Sequence, residues 1–426
     1  AHHWGHCVIS LDVVYLPPFG KHQVMDQYLF SGLKVIDNSA VIAGPSSAMI
    51  LADFGADVIK VERPGRGDSL RMISSIPTTP DADSNYLWQM DGKNKRSIVL
   101  DLKSEEGMEI MRKLVSECDV YITNQPMSVR ESLGLTYEEL KPLNPKMIFA
   151  SLTAYGEEGP DRYRKGFDQL AYWSRSGLMD LMREPGTRPT QGLPGMGDHP
   201  TAISLCGGIV TALLHRERTG EGSLVRTSLL ANGLWSASCI AQGVMAGGDM
   251  PLYRTRRDVP GFLGRVYQAS DGRWLMFNMV RSEELLALMF AGLEAVHLLE
   301  DERFDSPEHI TENRLALGNL IQEIIGQRSS DEWLSIYDDL EVPVVRVGLV
   351  EETGNDPQIQ VNHMAVKPEA DDIDVPLLIR HPIQVSSVPH VAQKRAPDLG
   401  EHSSEILSEL GYSDEAIAAL LAKGVI

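Results

Sequence analysis

The chain has 426 residues, with 39 Lys and Arg against 59 Asp and Glu, a formal net charge of −20. With 43% hydrophobic and 23% charged residues, it has the composition of a globular protein with a large core, which excludes a disordered chain. The acid excess argues against nucleic acid or an anionic membrane as a bulk partner, because both favour positively charged surfaces. A local basic pocket for a phosphorylated small molecule is compatible with this charge.

The four cysteines are Cys7, Cys118, Cys206 and Cys239, and no two have CxxC spacing. The last three stand in apolar surroundings, which predicts buried thiols in a reducing compartment, not disulfides or a zinc site. No apolar run reaches the ~20 residues that a membrane span needs.

Residues 1–30 are predicted to be a lead-in segment. The start lacks a basic stretch followed by an apolar core, so a signal peptide is not expected. His2, His3 and His6 could bind a metal ion, but a loose terminus is the favoured interpretation. No metal site is therefore predicted.

Regular structure is predicted to begin with a β-α-β unit: a strand at 33–37, a helix at 45–54 and a strand at 57–62. The first turn of this unit, residues 39–45, contains no GxGxxG, so the usual dinucleotide site is not supported.

Strands and helices continue to alternate along the chain. Ser104 is predicted to cap a helix on which Met108, Met111, Val115 and Cys118 share one face. The other predicted elements are strands at 97–102, 120–123 and 147–152, a short helix at 137–143 and a long apolar helix at 200–218. This alternation predicts an α/β fold with a mostly parallel sheet. Gly207 and Gly208 predict close packing of the long helix.

The pattern of predicted strands and helices changes beyond residue 247. Asp271-Gly272 between two apolar runs, 265–269 and 273–278, is a strong hairpin signal. Helices are expected at 283–295, 312–327 and 331–340, and an amphipathic helical end at 401–426 with a break at Gly411. The predicted domains are 31–225 (large), 226–247 (linker helix), 248–345 (small, α+β) and 346–426 (a return segment that completes the large domain).

Two carboxylates stand out by context. No His occurs from residue 23 to 198, which removes His-based catalysis from the first half of the fold. Asp198 follows Gly197 directly before the long helix, where free N–H groups favour an anion, and Gly197 permits close approach. Spacing alone favours Asp198 as a helix N-cap and Asp168 as a surface or salt-bridged carboxylate.

Basic residues cluster after the strand at 57–62, in the segment Arg63 to Arg71. In open α/β sheets, ligands bind outside the carboxyl ends of the strands, so a phosphate group would find cations here. A solvated charged loop is the alternative, and the residues alone favour it.

Several motifs together resemble the class III CoA-transferases, the group that includes formyl-CoA and carnitine CoA-transferases, over residues 32–426 in order. They are the stretches 43–45, 51–64, 94–98, 133–135, 156–160, 213–220 and 396–402. The α-methylacyl-CoA racemases share most of them. The resemblance implies a large Rossmann-like domain made from both ends of the chain, a small domain between, and an interlocked homodimer. It also implies a cytoplasmic enzyme that uses coenzyme A as a co-substrate and holds no permanent cofactor.

The resemblance further implies that Asp198 is the catalytic nucleophile, which reverses the interpretation from spacing. The carboxylate would form an acyl-aspartyl anhydride and then an aspartyl-CoA thioester, with backbone N–H groups near Gly197 as possible oxyanion donors. Asp198 could also cap the helix in the resting structure.

Other positions follow from the same resemblance. It implies CoA-binding roles for Arg63, Leu100, Lys103, Asn124, Gln125 and Lys165, and active-site or substrate contacts for Phe167, Asp168 and Gly197. Phe167 stands where the racemases have a proton-carrying His, so α-proton transfer by a racemase or isomerase is the second hypothesis. A non-catalytic CoA-binding protein is the third. Neither the donor acyl-CoA nor the acceptor acid can be named from the sequence.

Overall fold

The computed structural model describes residues 28–73 and 78–426. Most of the predicted lead-in, with His2, His3, His6 and Cys7, lies outside these residues. The first half of the described chain alternates strands and helices, as predicted. Its elements are β1 (Lys34–Asn38), α1 (Ala43–Asp53), β2 (Asp57–Glu62), α2 (Leu70–Ile73), α3 (Tyr86–Gly92), β3 (Arg96–Val99), α4 (Glu105–Glu117), β4 (Val120–Thr123), α5 (Met127–Leu133), α6 (Tyr137–Leu140), β5 (Ile148–Thr153), a π-helix (Gln169–Ser174), α7 (Leu178–Met182), α8 (Asp198–Thr219) and β6 (Ser223–Ser228).

The six strands form one parallel sheet in the order β3-β2-β1-β4-β5-β6. This is the doubly wound Rossmann order, and it confirms the α/β class. The sheet is covered on both faces. Helices α1 and α8 pack in the core on one side, while α4 and the end of the chain pack on the other.

The second half begins with α9 (Leu229–Ser236), α10 (Ser238–Met245) and α11 (Met250–Asp258). An antiparallel sheet of β7 (Val266–Gln268), β8 (Trp274–Phe277) and β9 (Val344–Arg346) follows, with its own core. The remaining elements are α12 (Glu283–Gly292), α13 (Pro307–Glu312), α14 (Arg314–Ile325), α15 (Ser330–Asp339), α16 (Pro357–Val361), β10 (Ala365–Val366), β11 (Leu378–Ile379), α17 (Ser403–Glu409), α18 (Asp414–Ala422) and 3-10 turns at Phe262–Gly264, Val296–Glu300 and Val350–Asn355. The predicted hairpin at Asp271-Gly272 is confirmed.

The end of the chain returns to the large sheet. Ile406, Leu407 and Ile417 share a core with β2, β3 and α4, and the His402 N–H donates to the Ser97 carbonyl at 3.0 Å. The domain boundaries themselves stay a prediction. Among the helices of the described residues, none is both long and apolar enough to cross a bilayer.

The structure corrects the expectations for residues 226–247 and for Cys239. The helix predicted over 226–247 is instead the end of β6 followed by α9 and α10. Strand β6 was not recognised because it lies at the sheet edge and offers only Leu224 and Val225 as apolar residues. Cys239 is exposed, whereas Cys118 and Cys206 are buried as predicted.

The two adjacent glycines of α8 differ in their surroundings. A Cβ at Gly208 would lie 2.6 Å from Val225 Cγ1, while a Cβ at Gly207 would meet nothing within 4 Å. The predicted close packing therefore holds for Gly208 alone.

We expect Gly207→Ala to raise the free energy of unfolding by about 0.5–1 kcal/mol, because alanine loses less backbone entropy in a helix. Gly208→Ala should lower it by about 1–2 kcal/mol, since the stiff Val225 side chain must give way. Urea unfolding of the two variants measures both. Equal effects of the two substitutions would contradict the packing described for α8.

Candidate active site

Two cavities lie along the edge of the sheet where the parallel strands end. Chain order reverses between β1 and β4, and the doubly wound topology opens a crevice at such a point. The segments that follow β1 to β6 all contribute residues to the crevice. The fold thus brings together side chains that are far apart in the sequence.

The turn after β1 forms the floor of the crevice. Val41 adopts a φ of 68°, a left-handed conformation that is costly for a β-branched residue. Its N–H donates to Asp68 Oδ1 at 2.9 Å. The Asn124 side chain pairs with the Ala40 backbone, accepting at 2.8 Å and donating at 2.6 Å. These bonds hold the turn in its strained shape.

Buried charges support this turn from below. Lys60 Nζ lies 2.7 Å from Asp68 Oδ2 and 3.6 Å from Asp37 Oδ2, and it donates to the Ser39 carbonyl. Lys95 Nζ lies 2.9 Å from the same oxygen of Asp37. Burial by itself would lower the pKa of Lys60, but the adjacent carboxylates outweigh it and raise that pKa. The ammonium of Lys60 is thus held in its charged form.

The first cavity, of about 480 Å³, is lined by four of the residues predicted to bind CoA: Arg63, Leu100, Lys103 and Gln125. Arg63 and Lys103 are exposed cations at its rim, and Leu100 is buried in its wall. Ser132 also lines it. A cationic rim around a cavity of this kind suits a phosphorylated ligand.

The second cavity, of about 350 Å³, contains Asp198 together with Asn124, Gln125, Lys165 and Phe167. Both cavities are lined by Ala40, Ser69 and Gln125. They therefore adjoin and could hold one elongated molecule. At their junction the Gln125 Oε1 atom is buried without a hydrogen-bond partner among the described residues, an acceptor suited to an N–H group of that molecule.

Asp198 is the first residue of α8, and Gly197 is the N-cap. The predicted N-cap role of Asp198 is wrong, because Gly197 occupies the N-cap position and Asp198 lies inside the helix. The Asp198 side chain is nearly buried, yet no hydrogen bond to its carboxylate is found within residues 28–73 and 78–426. Burial raises its pKa to about 7, and the negative charge of Asp168 adds to the shift. The result is a desolvated, unengaged carboxylate facing a cavity.

Asp168 lies behind Asp198 and does not line the second cavity. Its Oδ2 accepts a hydrogen bond from the Gly197 N–H at 3.2 Å, and its Oδ1 accepts one from the Gln169 N–H at 2.8 Å. A Cβ at Gly197 would lie 2.6 Å from Tyr172 Cγ, so this close contact requires glycine. Gly197 is thus engaged within the chain, and its contact with substrate stays a prediction.

His199 and Asp91 form a pair beside Asp198 that we did not identify from the sequence. The His199 Nε2 atom lies 3.4 Å from Asp91 Oδ1. The one available signal was that His199 ends the long His-free stretch. Nothing in the sequence marked Asp91 as its partner.

Among the described residues, one group of side chains has the spacing to hold a metal ion. Ligand atoms of Asp53, His381 and His390 lie within 4.8 Å of one another. However, Lys93 Nζ binds both carboxylate oxygens of Asp53. The ammonium already balances the carboxylate charge, so a dication would add uncompensated positive charge to a buried site.

Known proteins resemble the chain over most of its length. A model of the family described as CoA-transferase family III matches residues 30–403. The chain is 30% identical to a (R)-2-hydroxy-4-methylpentanoate CoA-transferase of Clostridioides difficile, covering 91% of this chain and 97% of the relative. It is 32% identical to a succinate–glutarate CoA-transferase of Agrobacterium fabrum, over 89% of this chain and 95% of the relative. A CAIB/BAIF family protein from Brucella suis has a crystal structure with a TM-score of 0.76 and 30% identity, covering 90% and 100%.

Proposed function

The chain belongs to CoA-transferase family III, and from this premise we propose that Asp198 carries the transfer of CoA from an acyl-CoA to a carboxylic acid. Members of this family are CoA-transferases, so the chain is an enzyme. The third hypothesis, a non-catalytic CoA-binding protein, is therefore set aside. One observation carries the proposal for Asp198: its unengaged carboxylate faces a cavity that adjoins a second, cation-rimmed cavity.

The proposed reaction proceeds through two covalent forms of Asp198. Its carboxylate attacks the thioester carbonyl, the C–S bond breaks, and CoA leaves as a thiolate while an acyl-aspartyl anhydride forms. The thiolate then attacks the aspartyl carbonyl, which releases the first acid as a carboxylate and leaves an aspartyl-CoA thioester. An acceptor carboxylate reverses these steps. No proton is gained or lost overall, and CoA is the only carrier required.

Each tetrahedral centre requires hydrogen-bond donors for its oxyanion, worth about 3 kcal/mol apiece. The N–H groups of Asp198 and His199 both donate to the Gly195 carbonyl at 3.1 Å, and the Gly197 N–H donates to Asp168. The donors expected near Gly197 are therefore engaged. We assign the role instead to the first turn of α1, which begins at Ala43 in the wall of the second cavity and whose N-cap residue, Ile42, offers no side-chain cap.

The first cavity is the proposed site of the CoA nucleotide. Arg63 and Lys103 would contact its phosphates, and Leu100 would contact the nucleotide through its backbone. The unpartnered Oε1 of Gln125 would accept an amide N–H of the pantetheine arm, whose thiol then reaches Asp198 past Asn124 and Lys165.

We expect Lys103→Ala to weaken CoA binding about tenfold, because an ammonium–phosphate contact is a charge-assisted hydrogen bond. Titration calorimetry with CoA at low ionic strength measures the Kd, and added salt should shrink the difference. Lys113→Ala is the matched control, since Lys113 is an exposed lysine on α4 outside both cavities. Equal Kd values for the two variants would count against this placement of the nucleotide.

The acid substrates of the relatives differ in kind. The enzyme names refer to a branched 2-hydroxy acid for the relative from Clostridioides difficile and to two dicarboxylates for the relative from Agrobacterium fabrum. For this chain we propose a carboxylic acid of one of these classes. A panel of 2-hydroxy, aryl and dicarboxylic acids, each offered with acetyl- and succinyl-CoA, separates them.

The racemase hypothesis ranks second because the exposed ring of Phe167 lines the cavity where a second proton-carrying base is needed. Incubation with a 2-methylacyl-CoA in heavy water tests it. Deuterium uptake at the α-carbon without an acceptor acid would favour a racemase.

We also propose that the enzyme is an interlocked homodimer located in the cytoplasm. Exposed apolar side chains on α9 and α10, Leu234, Trp235, Val244 and Met245, support a covered face there. A second copy of the chain is the proposed cover. Sedimentation of the full chain measures the mass in solution.

The direct test of the proposed function is to trap the covalent intermediate. The enzyme is mixed with an acyl-CoA and treated with hydroxylamine or borohydride, and peptides are analysed by mass spectrometry. We expect a mass change at Asp198. Turnover with no change at Asp198, or with the change on another carboxylate, would overturn the proposal.

A further inference from the structure

Arg130 lies behind the wall of the second cavity. It stands on α5 and is only 1% exposed. Its Nε–H donates to the Gln125 carbonyl at 2.7 Å, and its Nη2 donates to the Leu152 carbonyl at 3.1 Å. Gln125 follows β4, Leu152 belongs to the end of β5, and both line the second cavity. One buried guanidinium therefore links the two neighbouring strand ends that form this wall.

The remaining contacts of Arg130 fix the guanidinium in place. Its Nη1 donates to Ser151 Oγ at 2.6 Å and to Glu157 Oε1 at 3.1 Å, and the Ser151 hydroxyl donates to the same oxygen of Glu157. The planar guanidinium presents its donors in fixed directions, unlike the flexible ammonium of a lysine. A buried polar network with its partners in place is rigid. The link between the two strand ends is thus held in one geometry.

Gln125 is the cavity residue that this link orients. Its N–H donates to Thr123 Oγ1 at 3.2 Å, its side-chain Nε2 donates to Asn38 Oδ1 at 3.1 Å, and its carbonyl accepts from Arg130. Its Oε1 atom, by contrast, has no partner among the described residues and lies at the junction of the two cavities. This acceptor is therefore oriented before any ligand binds, which lowers the cost of binding.

We propose that Arg130 is a positioning residue for the pantetheine arm of CoA, because it holds the Gln125 amide at the junction of the two cavities. This inference rests on the proposed function, in which the arm passes from the first cavity to Asp198. A hydrogen bond weakens steeply when its acceptor turns away. Arg63 follows β2 and Lys103 follows β3, so the proposed nucleotide contacts are held by other strands. Loss of the link should weaken binding of the arm and spare the nucleotide.

We expect Arg130→Lys to raise the Kd for CoA about tenfold, because an ammonium keeps the charge beside Glu157 but does not serve both wall carbonyls as the guanidinium fork does. The second ligand is adenosine 3′-phosphate 5′-diphosphate, the nucleotide of CoA without the arm, and its Kd should not change. Titration calorimetry measures both values. Equal weakening for the two ligands would overturn the inference, because that is the result of a merely structural role.

A double-mutant cycle tests whether Arg130 acts through Gln125. Gln125→Ala alone should also raise the Kd for CoA and leave the Kd for the nucleotide unchanged. Adding Arg130→Lys to Gln125→Ala should then have no further effect, since residues that act through one contact are not additive. A further loss of CoA affinity in the double variant would overturn the inference.

The matched control is Arg216→Lys. Arg216 is a half-buried arginine outside both cavities that donates to the carbonyls of Asp119 and Lys146 at 3.5 and 3.4 Å. Both Kd values should stay at those of the parent enzyme in this variant. If Arg130→Lys does not fold, Arg130→Met combined with Glu157→Met removes both charges together and allows the same comparison.

The trapping experiment distinguishes failure of this inference from failure of the proposed function. An unchanged Kd for CoA in Arg130→Lys, with the mass change still found at Asp198 in the parent enzyme, would overturn the inference alone. Absence of that mass change during turnover would overturn the proposed function, whatever the Kd values.

Discussion

Asp198→Asn is expected to lower kcat at least about a thousandfold, the largest effect that we predict. An amide oxygen is too weak a nucleophile to attack a thioester, so the covalent steps proposed for Asp198 would not begin. Steady-state exchange between an acyl-CoA and an acceptor acid measures the loss. CoA binding should persist, since Arg63 and Lys103 are untouched. More than a tenth of the parent turnover would contradict a nucleophilic role.

The same variant should be more stable than the parent enzyme at pH 8. The pKa of Asp198 in the folded chain is about 7, above its value of 3.8 when unfolded. As the pH rises, Asp198 loses its proton at a lower pH in the unfolded state than in the folded state. The free energy of unfolding therefore falls between about pH 4 and pH 7 and stays lower at higher pH. Asparagine carries no charge to bury, so the Tm of Asp198→Asn at pH 8 should be higher than that of the parent enzyme.

Asp180→Asn is the matched control for the turnover measurement. Asp180 is a half-exposed aspartate on α7 that pairs with Arg254 at 2.5 Å, outside the two cavities. Its kcat should stay within about twofold of the parent value. A comparable loss in this variant would show that the assay reports a general effect of removing acidic groups.

Lys60→Met is expected to lower the free energy of unfolding by about 3–5 kcal/mol, the largest stability effect that we predict. The substitution leaves Asp37 and Asp68 buried with one remaining cation, Lys95, and an uncompensated buried charge costs about this much. The Ser39 carbonyl also loses its donor at the floor of the crevice. The midpoint of urea unfolding, followed by circular dichroism, measures the loss, and CoA binding should weaken with it.

Lys34→Met provides the comparison. Lys34 belongs to β1 and pairs with Glu117 at 3.0 Å, but both side chains are half exposed. Water screens such a pair, so its removal should cost less than about 1 kcal/mol. Similar losses in the two variants would mean that the buried network does not hold the turn.

Most of the large sheet could be predicted from local patterns, because each β-α-β unit is encoded in consecutive residues. The strand at Asp57–Glu62 and the cap of α4 by Ser104 were found as predicted. Strand β6 was missed since an edge strand is covered by one neighbour and tolerates polar residues. Exposure of Cys239 depends on packing between helices, which local periodicity does not report.

The candidate site could be predicted only in part. Resemblance to a family pointed to Asp198, whereas spacing alone suggested a helix cap that the structure does not have. The predicted CoA-binding positions follow different strands, and the fold places them along one crevice. The pair of Asp91 and His199 joins residues 108 positions apart, and no short motif links them.

By itself, the sequence determined the alternation of strands and helices up to the long helix, the Gly-Asp start of that helix, and membership in a family of CoA-transferases. These properties depend on residues that are neighbours in the sequence and on short motifs that can be read without the structure. Tertiary structure alone decided the environment of Asp198: its burial at the second cavity and the negative charge of Asp168 behind it. Burial and long-range electrostatics depend on where the chain folds back on itself, so they arise only when separate elements come together.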